Sequence, residues 1–549
     1  MKSKPKKTKS HKRQLNILEI NYIDLPGKRW NGYDLVEYIN SNTKHIGKQL
    51  VIYKLSDNKN IIPLFDKAEL RLFDKLSEFE KNNLSVHSCL SCSSPAILSH
   101  PAFHNADVIH LHLIHNMKLS LVSLLDICSQ KPTIITIHDP WTFTGRCVWL
   151  YDCKKYLTGC RNCPNLNNLF PLKYDNCHEL WELKKMIYSK IDVDYVVSTK
   201  YMRDLFEESP LTTGKRIHTI PFGINTNEFY RKHTQAEAKK HYHIPNDHVV
   251  IFHRAQFFSK GTEYVIEALK ELQTDQQLTI ITCSEKGRLN NLKNKFNIID
   301  LGEIDSKELA YAYNACDIFL SPSIGESFCM MAVEAMSCAK PVIIFDNTAL
   351  PTVTFAPKCG VLAKDRNSHD LMKKIKWMVE DKQERNRRGK LARKLACENY
   401  SLDAYHERIL NLYEITAKRK KTPANIKESL NKKPANTASV KALKHQLNQL
   451  TQSIAPKHSQ LYKRLFYNIS EVSITPPTHI KYGEEDTALL INQYNNSLFR
   501  EVHSLNIRSF YSSYHAKLFH KIKTFLFILI YDKRKIATVI RQKIAKDIK

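Results

Sequence analysis

Two carboxylates eight positions apart, Glu326 and Glu334, stand within DIFLSPSIGESFCMMAVEAMSCAKPVII. In one continuous helix that spacing is a little over two turns and puts both acids on about the same face. The run from Phe328 to Cys338 is apolar enough for a buried helix; the loop SIGES opens it after Ser321-Pro322, and Pro341 begins a new strand. A carboxylate inside MMAVEAM is costly unless it is hydrogen-bonded. It either bonds backbone or a basic core partner, or it holds ribose-type hydroxyls, and the second acid at the helix entrance favours the hydroxyls.

A cationic pair lies upstream. Arg254 closes the strand-like VVIFHR, and Lys260 precedes Gly261 and the helical TEYVIEALKEL. A lone cation in a loop is usually only solvated. A guanidinium at a strand end and an ammonium before a helix N-terminus together suit a pyrophosphate, through bidentate bonding and the helix dipole. His138 and Asp139 follow TIITI into the loop HDPWTFTG. An imidazole there either caps the strand end, or bonds a hydroxyl and manages a proton near neutral pH.

Cys147, Cys153, Cys160 and Cys163 are spaced C-x5-C-x6-C-x2-C. Four thiolates so close in sequence suit a tetrahedral structural zinc site, with free or redox-labile cysteines as the alternative. Cys89 and Cys92 form a further CxxC pair in a Ser-rich stretch.

The elements that must position these groups are short β-branched runs: Val108 to Leu111, Thr133 to Ile137, Tyr195 to Val197, Val249 to Phe252, Leu278 to Thr282, Asp317 to Leu320 and Pro341 to Phe345. They are continuous rather than alternating, and longer helix-compatible stretches separate them. That pattern predicts parallel sheets covered on both faces by helices, an α/β class in which ligands sit beyond the carboxyl ends of strands. A chain of 549 residues, 42% hydrophobic, has material for two to four domains. The segment IPFGINTNEF reads as a crossing between two doubly wound domains, 14–225 and 245–395, with the Cys-rich insert at 147–163. A basic N-terminus covers 1–13, a closing helix 396–415, and a basic linker with a helical tail 416–549.

In these motifs the chain resembles the retaining GT-B glycosyltransferases known as glycosyltransferase family 4 or glycosyl transferase group 1, over about residues 15 to 415. Glu326 and Glu334 match its E-x7-E motif, flanked by ELAYAYNACDIFLSPS and AKPVI; IPFGINTNEF, the Arg254 and Lys260 pair, and YSLDAYHERILNLY support it. The resemblance implies two Rossmann-like domains and a retaining hexosyltransferase that uses a UDP-, GDP- or ADP-sugar. It implies that Arg254 and Lys260 bind the donor diphosphate, Glu334 the ribose and Glu326 the transferred sugar, with His138 near that sugar. Backbone amides of Ser327, Phe328 and Cys329 would face the donor, and catalysis would need no metal. The family's glycine-rich donor loop is matched only by LPGKRWNGYDL, which points to Gly27, with Arg29 and Asn31 as polar contributors. Glycines usual around the first Glu are replaced by Ser327-Phe328-Cys329, and the later Pro-Glu turn by DNTALPTV, so the donor sugar is not fixed. A subgroup of the family resembles the Cys-rich stretch too, which implies a structural insert beside the acceptor cleft.

The net charge of +28 first suggests nucleic acid, an anionic membrane or phosphorylated ligands. Residues 1–13 carry +7, 418–448 carry +8 and 517–549 carry +8, which leaves +5 for everything else. The excess thus belongs to appendages, and no nucleic-acid fold motif is visible. The segment LFHKIKTFLFILIYDKRKIATVIRQKIAKDIK suits an amphipathic helix on an anionic membrane surface, or a helix docked on the protein's own body. With no h-region, and a longest apolar run of Phe525 to Tyr531, the expectation is a cytoplasmic enzyme with reduced thiols, peripheral on the inner face of the cytoplasmic membrane. It would extend a glycan or lipid-linked acceptor in surface polysaccharide or lipopolysaccharide biosynthesis. From another class, the alternative is a noncatalytic RNA- or anionic-lipid-binding protein with a degenerate version of the fold.

Overall fold

The computed structural model describes residues 13–25, 32–65, 94–168 apart from 118, 120 and 122, 171–172, 175–256 and 259–419, with isolated positions between 70 and 88. Two parallel sheets account for the architecture. The first holds β1 (Asn16–Ile23), β2 (Ile46–Tyr53), β3 (Ile61–Pro63), β4 (Val108–His112), β5 (Thr133–Ile137), β6 (Asp194–Val197) and β7 (Ile217–Thr219), in the order β3-β2-β1-β4-β5-β6-β7. The second holds β8 (Val249–Ala255), β9 (Leu278–Ser284), β10 (Asn297–Asp300), β11 (Ile318–Leu320), β12 (Val342–Phe345) and β13 (Val361–Ala363), in the order β10-β9-β8-β11-β12-β13. Every β-branched run expected from sequence is a strand here. The cause is that β4, β5 and β6 are buried along their whole length, which suits runs that are mostly apolar on both faces.

Two local expectations are corrected. The helix after the SIGES loop spans Met330–Ser337, not Phe328 to Cys338, because Cys329 sits in the left-handed region at φ 72° and breaks the helical path. Glu326 therefore lies in the loop, and the eight-residue spacing is not one helical face. At the other end, the expected closing helix divides. Lys382–Tyr400 is one helix and Leu402–Ala417 another, parted by extended Ser401, whose Oγ accepts the Ala404 N–H.

That break is where the chain crosses back. Ile224 donates to Tyr400 O at 2.8 Å, and Leu402 donates to Ile224 O at 3.0 Å, so the outgoing and returning crossings pair side by side. A single apolar cluster runs through both lobes here, joining Ile17 of β1, Phe222, Phe252, Tyr313, Tyr405 and Tyr413. Residues 1–12, Gly27 with Arg29 and Asn31, Cys89, Cys92 and everything from 420 onward, the basic tail included, lie outside the described residues.

Candidate active site

Loops after β4, β5, β8, β9 and β11 converge on a cavity of about 490 Å³ between the lobes. His138, Arg254, Lys260, Glu326, Ser327, Phe328, Cys329 and Glu334 all line it, so the second lobe's expected residues and His138 of the first meet at one place.

The cations come from one strand-turn-helix unit. Arg254 is the penultimate residue of β8, and Lys260 sits in the turn that Gly261 closes at φ 69°. A Cβ on Gly261 would lie 2.0 Å from Pro322 O, so only glycine lets this turn rest against the end of β11. Lys260 Nζ lies 2.5 Å from Glu326 Oε2, with both side chains largely buried. Burial works against the Lys260 ammonium, but Glu326 outweighs it and carries the pKa above its usual value. The lysine thus stays charged at the cavity wall.

The SIGES loop is held from the first lobe. Ser327 Oγ donates to His138 O at 2.6 Å, and Thr199 Oγ1 donates to Ser327 O at 3.1 Å. The amides of Phe328 and Cys329 make no hydrogen bond among the described residues, whereas the Ser327 amide is turned to its neighbour's Glu326 Oε1 at 3.3 Å. Glu334 accepts from Tyr313 Oη at 2.8 Å and is only half-buried, which resolves the cost of a carboxylate on this helix.

In the first lobe, His138 stacks on Phe222 at 5.3 Å with the rings 11° from parallel, and its Nε2 lies 3.2 Å from His112 Nδ1. Asp139 caps the following turn by accepting the Trp141 N–H at 2.9 Å, and its other oxygen is 3.4 Å from His115 Nε2. Burial, only partly offset by that N–H and by Lys184, holds the Asp139 carboxyl up at about 7. Trp149 of the Cys-rich insert also borders the cavity, and a Cβ on Gly325 would come 3.1 Å from its ring. Nearby, Asp152 of the insert pairs with Arg366 of the second lobe.

The cysteines gather differently from the spacing's suggestion. No disulfide joins any two of the twelve described cysteines. Hydrogen bonds to the thiols of Cys147 and Cys177 push Cys163 down and raise both partners, while Cys160 accepts the Gly145 N–H at 3.2 Å. Tetrahedral zinc needs sulfurs about 3.8 Å apart, yet among the described residues no three sulfurs lie within 4.8 Å of one another. The set Cys147, Cys153, Cys160 and Cys163 is not assembled as one coordination sphere. Cys177, fourteen positions beyond Cys163 on the helix Cys177–Tyr188, is the partner that spacing did not indicate.

Glu19, His112 and Trp149 join the site although none of the motifs above singles them out. Glu19 and the pair His110 and His112 did leave a signal: polar residues at period two inside the otherwise apolar strands LEINYI and VIHLH.

Residues 234–395 match the family model described as Glycosyl transferases group 1. The Escherichia coli (strain K12) protein named for colanic acid biosynthesis, glycosyl transferase WcaC, is 26% identical over 260 residues, 43% of this chain and 59% of its own length. The N,N'-diacetylbacillosaminyl-diphospho-undecaprenol alpha-1,3-N-acetylgalactosaminyltransferase of Campylobacter jejuni is 22% identical over 266 residues, 45% of this chain and 63% of its own. The chain thus spans about three fifths of the length of these curated relatives. Sucrose-phosphate synthase from Thermosynechococcus elongatus superposes with a TM-score of 0.53 at 17% identity, over 73% of this chain and 99% of that one. Residues 234–395 of the second lobe are thus similar to the glycosyl transferases group 1 domain, and the two parallel sheets have the two-lobed GT-B fold.

Proposed function

We infer that the protein transfers a sugar from a nucleotide-diphosphate donor to a glycan or lipid-linked acceptor, with retention, in the synthesis of a surface polysaccharide. The observation that carries this reading is the convergence of Arg254, Lys260, Glu326 and Glu334 with His138 of the opposite lobe around one cavity. Arg254 and Lys260, with the free amides of Phe328 and Cys329, form a preorganised positive field for the leaving diphosphate, the role a divalent cation plays in other transferases. Glu334, oriented by Tyr313, takes the ribose hydroxyls. Glu326, held by Lys260, takes hydroxyls of the transferred sugar, and the departing phosphate oxygen helps deprotonate the acceptor on the same face of the ring. The names of the relatives, in colanic acid and undecaprenol-linked glycan assembly, support an acceptor of this class.

The enzyme works at the inner face of the cytoplasmic membrane in this reading. Its positive excess is concentrated at the two ends of the chain, and among the described residues no helix is long and apolar enough to cross a membrane.

A thermal-shift panel of UDP-, GDP- and ADP-sugars on the full chain tests the reading. At a hundred times Kd the correct donor adds about 2.7 kcal/mol of stability, and Glu334→Ala should remove that gain while leaving the unliganded melting temperature near the wild type's. No stabilisation by any nucleotide sugar would reject it.

A further inference from the structure

A buried chain of hydrogen bonds leads from the cavity wall into the first sheet. His138 Nε2 is 3.2 Å from His112 Nδ1, His112 Nε2 is 2.7 Å from Glu19 Oε2, and Tyr413 of the returning helix donates to Glu19 Oε1 at 2.5 Å. Strand register builds it: Glu19 of β1 is paired with His110 of β4, and His112 with Thr136 of β5. Glu19, His110 and His112 bring three ligand-type atoms within 4.8 Å of one another. Each of those atoms already has a hydrogen-bond partner, however, His110 through Nδ1 to Tyr413 at 2.7 Å and through Nε2 to Thr136 at 2.6 Å. A hydrogen-bonded network accounts for the trio without a cation.

The direction of each bond follows from one end. Burial opposes the Glu19 charge, but His110 and His112 together bring its pKa down to about 2, so the group is a carboxylate that only accepts. The proton on His112 therefore sits on Nε2. Burial, then His110, keep that ring neutral down to about 4, so its Nδ1 is a lone pair and accepts in turn. His138 must then donate from Nε2–H. Its own pKa is far below the usual value through burial and the neighbouring imidazoles, so the ring is neutral, with its lone pair on Nδ1, for which no partner exists among the described residues.

The geometry assigns Glu19 and His112 as positioning residues that hold His138 in its Nε2–H tautomer and present Nδ1 as an acceptor for a hydroxyl of the donor sugar. The assignment of a sugar as ligand rests on the transferase reading above; the tautomer does not.

Long-range 1H–15N correlation on the 15N-histidine-labelled full chain at pH 7, assigned through His112→Gln and His138→Gln, tests the tautomer directly. Protons on Nε2 of both rings are expected, and an Nδ1–H signal from His138 would overturn the assignment whether or not the chain is a transferase. In the enzymatic arm, Glu19→Gln keeps the shape and removes the charge. It should lower kcat about 10- to 100-fold with KM for the nucleotide sugar little changed, and His138 should show a mixture of tautomers. Folded Glu19→Gln with wild-type kcat and an unchanged His138 spectrum would also overturn it. Should that variant not fold, the wild-type spectrum decides. Wild type that binds no nucleotide sugar, yet shows the expected tautomers, would refute the transferase reading and keep the relay.

Discussion

On the second lobe, Arg254, Lys260, Glu326 and Glu334 border the cavity, with Lys260 paired to Glu326 and Glu334 bonded by Tyr313. On the first lobe, Glu19, His110 and His112 are 0–1% exposed and stand behind His138, with every polar side-chain atom engaged. Both walls carry carboxylates and cationic or imidazole groups, but burial differs and so does the consequence. A charge at the cavity edge keeps part of its solvation and can exchange it for a ligand. A fully buried carboxylate depends on its protein partners and cannot lose one without leaving another unsatisfied. In the proposed reading the second wall is therefore the one that exchanges solvent for a ligand, and the first holds His138 in a fixed state.

That contrast can be broken by substitution. The largest effect is expected at Glu19→Ala, which strands His110, His112 and the Tyr413 hydroxyl: about 3–5 kcal/mol of stability should be lost, read by urea denaturation of the full chain. Retention of wild-type stability would mean that the first wall is no more closed than the second. Next in size is Arg254→Ala. It should cut sugar transfer by about 10²–10³, the scale for removing one preorganised stabiliser of developing charge, while the urea midpoint barely moves. A comparable loss of stability would erase the distinction.

Acid should act on the first wall more than on the second. His112 and His253, one in each lobe, have pKa values pushed down from 6.5 to about 4, and His115 in the first lobe to about 3, each by burial foremost. A depressed histidine contributes stability that is complete above the unfolded value of 6.5 and is lost as pH falls through the folded value. Asp139, raised from 3.8 to about 7, acts in the opposite sense: its contribution is complete below 3.8 and lost as pH rises through 7. His138 is held far below its usual value as well, again by burial foremost. Three histidines thus outweigh Asp139 in the first lobe, against His253 alone in the second, and hydrogen exchange at pH 7 and pH 4.5 should show opening of β4 and β5 before β8 and β11; the reverse order would contradict the comparison. The smallest effect is expected at the pair that joins the walls. Asp152→Asn removes the partner of Arg366, but Asp152 is 69% exposed, so the change should stay well below about 1 kcal/mol, measurable as a double-mutant cycle with Arg366→Gln.

Much of the second wall was legible in the sequence, because each of its groups is placed by local chemistry: Arg254 by a strand end, Lys260 by a glycine turn, Glu334 by an apolar helix. The helix start was misplaced since nothing in SFCMM announces a left-handed Cys329. The first wall was only half legible. His138 follows a strand and was found; Glu19 and His112 lie inside strands, where a polar residue gains meaning only once the neighbouring strand is known. Cys177 was missed for a similar reason, since its partner Cys163 lies across an irregular segment of no fixed length.

The α/β class, the strands and the charged groups at their ends are encoded locally in the chain, because mostly apolar runs, turn glycines and helix starts act over a few residues. Tertiary structure decided which of those groups meet. Lys260 and Glu326 are 66 residues apart, Glu19 and His112 are 93 apart, and Ser327 reaches His138 across 189. Contacts at such separations are set by strand order and by the packing of one lobe on the other, and no local pattern encodes them.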